Sequence, residues 1–156
     1  MKPAAVAATS REEEARHLLA LYAGDPARVM GTVEAQLGVL AGRAQTLLSL
    51  TGLTITVTGF SGTTIASTSR TAATLIVTGL VLVLLGAGQC IAGILAVRWT
   101  TSIAPCDLEQ ALLHALARRD EKTRAYTRAL ALVIAGLTAY VLSVSLLLLA
   151  VPAKPG

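Results

Sequence analysis

Gly59, Phe60, Ser61 and Gly62 set a serine between glycines inside a long uncharged stretch. Within a membrane, a serine bracketed by small residues can act as a nucleophile, provided a base takes its proton. The chain has two histidines, His17 and His114, and neither lies in an uncharged stretch. No lysine lies there either, and Thr63 breaks the Gly-x-Ser-x-Gly spacing of a nucleophile elbow. Ser61 therefore has nothing to activate it, and a serine hydrolase is rejected. The two cysteines, Cys90 and Cys106, are isolated and have no neighbouring histidine, so they form neither a metal motif nor a disulfide framework. We expect no catalytic, cofactor-binding or metal-ligating residue: no acid, base, nucleophile and ligand set converges along this chain. The protein is read as a non-enzyme.

The elements that would hold these residues are membrane helices. Hydrophobic residues make up 54% of the chain and charged residues 14%, and the mean hydropathy is +0.67. A soluble domain carries nearer 25% charge. Three stretches, 44–66, 72–97 and 129–151, contain no charge and reach about 30 Å as helices, enough to cross a bilayer. The expected architecture is an all-α integral membrane helical bundle. It has three transmembrane helices, cytoplasmic helices over 1–43 and 98–128, an outer loop at 67–71 and an outer tail at 152–156. Ser10 with Glu13 forms a capping box that opens a helix, and Gly24 closes it. Asp25-Pro26 starts a second helix that meets no proline before residue 66. Pro105 and Asp107 start a further helix, whose apolar face is Leu108, Leu112, Ala115 and Leu116 and which runs on into the third span. Asp120 and Arg124 are spaced as an i,i+4 pair on it.

Basic residues set the orientation. Lys2, Arg11, Arg16, Arg28 and Arg43 precede the first span, and Arg98, Arg118, Arg119, Lys122, Arg124 and Arg128 separate the second from the third. Only Arg70 and Lys154 fall on the other side, which places the N-terminus in the cytoplasm and the C-terminus outside. Arg98, Trp99 and Arg128 are the expected interfacial anchors. The basic pI of 9.5 follows from this topology. With so few aromatic side chains for base stacking, nucleic acid is not an expected partner. The run at 118–128 would serve as a topology anchor, with anionic lipid or a nucleotide as alternative ligands.

Small residues recur seven apart in every span: Gly52 and Gly59; Gly79, Gly86 and Gly93; Gly136 and Ser143. That is the spacing of a close-packed left-handed seam. In the first span Thr51, Thr54, Thr58, Ser61 and Gly62 share one arc. Gly52, Thr56, Gly59 and Thr63 share a second, and Leu50, Leu53, Val57 and Phe60 point to lipid. Two packing arcs exceed what two neighbouring helices cover, so a homo-oligomer is expected. Gln89 is the one strongly polar side chain in the second span and is expected to make an interhelical hydrogen bond.

"RAQTLLSL" followed by "TVTGFSG" resembles a group of small bacterial three-span membrane proteins, over residues 29–150 or so. The resemblance implies an inner-membrane location and this three-span plan, and no activity. In layout alone the chain is similar to Pycsar-type and SLATT membrane effectors of bacterial defence. That implies, as an alternative role, a pore-type effector that perturbs the membrane. A third role is an accessory subunit that binds a membrane or cytoplasmic partner through 105–128.

Overall fold

The computed structural model describes residues 10–66, 70–95 and 106–150. Every element among them is helical: α1 (Arg11–Leu21), α2 (Pro26–Ala66), α3 (Arg70–Cys90, continued by a π-helical turn at Ile91–Leu95) and α4 (Leu108–Ala150). Arg98, Trp99 and Pro105 lie outside the described residues.

The helix ends follow their local chemistry. The Ser10 hydroxyl accepts from the Glu13 amide at 3.2 Å, capping α1. Gly24 adopts φ +72°, the left-handed conformation that ends α1, and its amide returns to the Leu19 carbonyl at 2.8 Å. The Asp25 carboxylate accepts from the Ala27 amide at 3.0 Å, with Pro26 occupying the first helical position. From there α2 runs unbroken for 41 residues, and α4 runs for 43. At 1.5 Å per residue each is about 60 Å long, roughly twice the hydrocarbon thickness of a bilayer.

Two helices are long and apolar enough to cross a membrane: Arg70–Leu95 and Leu108–Leu146. Only 28% and 22% of their most apolar windows are buried within the chain, unlike the core helices of a soluble protein. The expected first span, 44–66, is not among them. The hydroxyls of Thr51, Thr54, Thr56 and Thr58 dilute its hydropathy.

Two cores lie at different heights along the long helices. Ala15 of α1, Val29 and Val33 of α2, and Leu112 and Leu116 of α4 form one. Leu40, Ala44 and Leu47 of α2, Cys90 and Ile94 at the end of α3, and Ala129 and Val133 of α4 form the other. The face of 105–128 read as a partner surface is thus occupied inside the chain: Leu112 and Leu116 are fully buried against α1 and α2.

Candidate functional site

Buried positions on α3 fall at Ala72, Ile76, Gly79, Val83, Gly86 and Cys90, alternating steps of four and three. This is the pattern of a left-handed knobs-into-holes seam, and α4 answers it with Ala129, Val133, Gly136 and Ser143. The glycines set the distance between the two helices. A Cβ on Gly79 would stand 2.7 Å from the Gly136 carbonyl oxygen, and one on Gly136 would stand 2.6 Å from that of Gly79. A Cβ on Gly86 would meet Val133 Cγ2 at 2.7 Å, and one on Gly93 would meet the Ala125 Cβ at 2.7 Å. At the far end, the buried Ser143 hydroxyl donates to the Ala72 carbonyl at 2.9 Å. Gly79, Gly86, Gly93, Gly136 and Ser143 thus lie along a single α3–α4 contact. The π-helical turn at Ile91–Leu95 inserts an extra residue into this repeat, so Ile94 rather than residue 93 becomes the next core position after Cys90. Lys122 Nζ donates to the Ile94 carbonyl at 2.7 Å, satisfying an acceptor at the end of the turn. Burial, reinforced by Arg118, lowers the pKa of this ammonium.

On α2 the two packing arcs separate. Thr51 and Thr58 are buried toward the other helices, whereas Leu50, Leu53 and Val57 are exposed. Gly52 and Gly59, expected in a seam, have no atom within 4 Å of where a Cβ would stand, and the same holds for Gly31, Gly38 and Gly42. α3 and α4 are joined to each other, and α2 meets them with its threonine arc. The glycine arc therefore faces away from the bundle. Its hydroxyls do not reach across to another helix: those of Thr51, Thr54, Thr56 and Thr58 each donate to the carbonyl four residues earlier, at 2.8–3.0 Å. Gly62 and Ser61 lie within α2, but their surroundings fall outside the described residues.

Gln89 requires a correction. Its side chain is exposed, and among the described residues nothing hydrogen-bonds it. The core that unites Ala44, Cys90 and Ala129 puts their neighbours Arg43, Gln89 and Arg128 at one height. Gln89, bracketed by Gly86 against Val133 and Gly93 against Ala125, sits near the height of Arg128. Its helix was read from hydropathy alone, which does not register it against its neighbours. From that level to Arg70, α3 rises about 28 Å.

Below that level a polar layer separates the two cores. Arg119 holds the Glu14 carboxylate with both terminal nitrogens, Nη2 to Oε2 at 2.9 Å, and also meets Gln36 at 3.3 Å. Asp120 accepts from Arg119 Nη2 at 2.8 Å and from Arg11 Nε at 3.0 Å. The pair expected between Asp120 and Arg124 is therefore replaced by one partner across on α1, Arg11, and one beside it on α4, Arg119. Partial burial opposes ionisation of Asp120, but the hydrogen bonds from Arg119 and Arg11 outweigh it and hold the carboxyl below its ordinary value. In the same way the Glu14 bond keeps Arg119 protonated. These contacts join α1 to α4, and the signal for them was present in the sequence only as undirected charge.

His17 and His114 are exposed, and no group of three His, Cys, Asp or Glu side chains gathers among the described residues. No family model, curated protein or solved structure matches this chain.

Proposed function

We propose that this chain is a non-enzymatic protein of the bacterial inner membrane that crosses the bilayer three times and self-associates through the open glycine face of α2. The observation that carries the reading is the contrast between two sets of glycines. Gly79 and Gly136 close on each other, Gly86 and Gly93 are closed by Val133 and Ala125 of α4, and Gly52 and Gly59 have nothing within 4 Å. An empty strip of backbone flanked by Leu53 and Val57 is the kind of surface on which a second helix packs closely in lipid. The occupant we assign is α2 of a second copy. Thr56 on the strip already bonds its own helix through the Gly52 carbonyl, so close approach there leaves its hydroxyl satisfied.

Membrane insertion of α2 is supported by its register. Charge-free segments of α2, α3 and α4 all extend upward from the level of Arg43, Gln89 and Arg128. Above that level Leu53, Val57, Val77, Leu84, Leu85, Ile134, Val141 and Leu149 form an exposed apolar belt larger than a soluble protein keeps in water. The excess of basic residues at and below that level supports a cytoplasmic position for it. Chemical cross-linking in intact membranes followed by sizing in mild detergent tests the assembly. A ladder beyond the monomer is expected for the wild type, and its loss in Gly59→Leu. A strictly monomeric wild type would refute the proposal.

A further inference from the structure

Beside the polar layer, α1 and α4 enclose an open groove of about 520 Å³ lined by Arg11, His114, Ala117, Arg118, Glu121 and Arg124. Its volume lies within the range of about 300–1,000 Å³ typical of small-molecule clefts. Three guanidinium groups and a histidine face one carboxylate, so the groove carries net positive charge. Asp120 offsets Arg11 in part and Glu14 is spent on Arg119, so the three guanidinium groups still outnumber Glu121 and Asp120. Arg11 bonds Asp120 through Nε, and among the described residues its terminal nitrogens have no other acceptor. Arg124 is exposed and has no acidic partner among the described residues.

We infer that this groove binds the phosphate group of a soluble ligand, gripped between Arg11 on α1 and Arg124 on α4. Paired guanidinium forks suit phosphate oxygens in both geometry and charge. The same chemistry could come from a lipid headgroup, and height decides between the sources. Arg124 lies four residues below Arg128, about 6 Å, within the headgroup layer. His114 lies fourteen below, about 21 Å, well beyond the roughly 5–8 Å that this layer adds to each side of the hydrocarbon. A headgroup would reach only the top of the groove, whereas a cytoplasmic ligand can fill it. Because the groove joins two helices, its ligand would also fasten α1 to the bundle.

Calorimetric titration of inorganic pyrophosphate into the full chain, held in phosphatidylcholine nanodiscs, tests this. We expect saturable binding that Arg124→Gln weakens at least fivefold, with Arg11→Gln similar and Arg16→Gln, outside the groove, unchanged. Hydrogen exchange of α1 should slow when pyrophosphate is added. Absence of binding, or equal weakening by Arg16→Gln, would overturn the inference. A second arm uses nanodiscs containing phosphatidylglycerol. Undiminished pyrophosphate binding supports a soluble ligand, and its abolition would assign the groove to lipid headgroups and overturn that choice.

Discussion

The α3–α4 contact and the outer face of α2 are built from the same residue type at the same seven-residue spacing, yet one is closed and the other open. At Gly79 and Gly136 the backbones touch so closely that neither tolerates a methyl group. At Gly52 and Gly59 a methyl group would meet nothing within 4 Å. Small residues at heptad spacing therefore mark where a helix can approach, and do not identify which helix does. In the first case the partner is in the same chain. In the second, the account supplies it from another copy.

Substitutions that treat the two regions alike should separate them most sharply. Gly136→Leu places a side chain against the Gly79 carbonyl and Val83, and should cost the monomer about 3 kcal/mol or more, read by reversible denaturation in bicelles. Gly59→Leu should leave that stability unchanged or slightly raised, because leucine favours helix over glycine. It should nevertheless weaken association at least tenfold, about 1.4 kcal/mol, read by energy transfer between labelled copies diluted in liposomes. Loss of monomer stability in Gly59→Leu would erase the distinction between the regions.

Smaller effects probe what fastens the closed region. Glu14→Gln removes one side of the Arg119 pair. Because those side chains are 21% and 28% exposed, the expected cost is about 1–2 kcal/mol, seen as faster hydrogen exchange in α1 with α3 unaffected. Ser143→Ala frees the Ala72 carbonyl and should cost about 1 kcal/mol, with association unchanged. Acid should act on α1 in the direction its carboxylates dictate. The folded-state pKa of Asp120 is depressed, so its contribution is present above the ordinary carboxyl value of 3.8 and is lost as pH falls through the lower folded value. Exchange in α1 should therefore rise below about pH 4 while the glycine seam, which holds no carboxylate, stays protected.

Much of this was legible in the sequence where the signals are local. Ser10, Gly24 and Asp25-Pro26 mark helix ends by bonding to their own backbone neighbours, and the structure places the ends there. Over residues 50–59 of α2, buried Thr51 and Thr58 separate from Gly52 and Gly59 and from exposed Leu50, Leu53 and Val57, as helical geometry dictates. What was illegible depends on how one helix slides against another. Gln89 is central in a hydrophobic run of the sequence, yet the register of Gly86 on Val133 and Gly93 on Ala125 sets it near the height of Arg128. Asp120 has Arg124 at helical spacing and instead bonds Arg11 across on α1 and its neighbour Arg119, which itself reaches Glu14 of α1. The Leu112 and Leu116 face advertises a partner, and α1 fills it.

Disulfide trapping in native membranes tests the open face most directly. In a background with Cys90 and Cys106 replaced by alanine, single cysteines are introduced by Gly52→Cys, Leu53→Cys and Gly59→Cys. The account predicts that the two cysteines on the glycine arc, at 52 and 59, form covalent dimers rapidly under mild oxidation, while the one at 53 on the apolar arc forms few. Equal or stronger cross-linking at position 53, or none at 52 and 59, would contradict it.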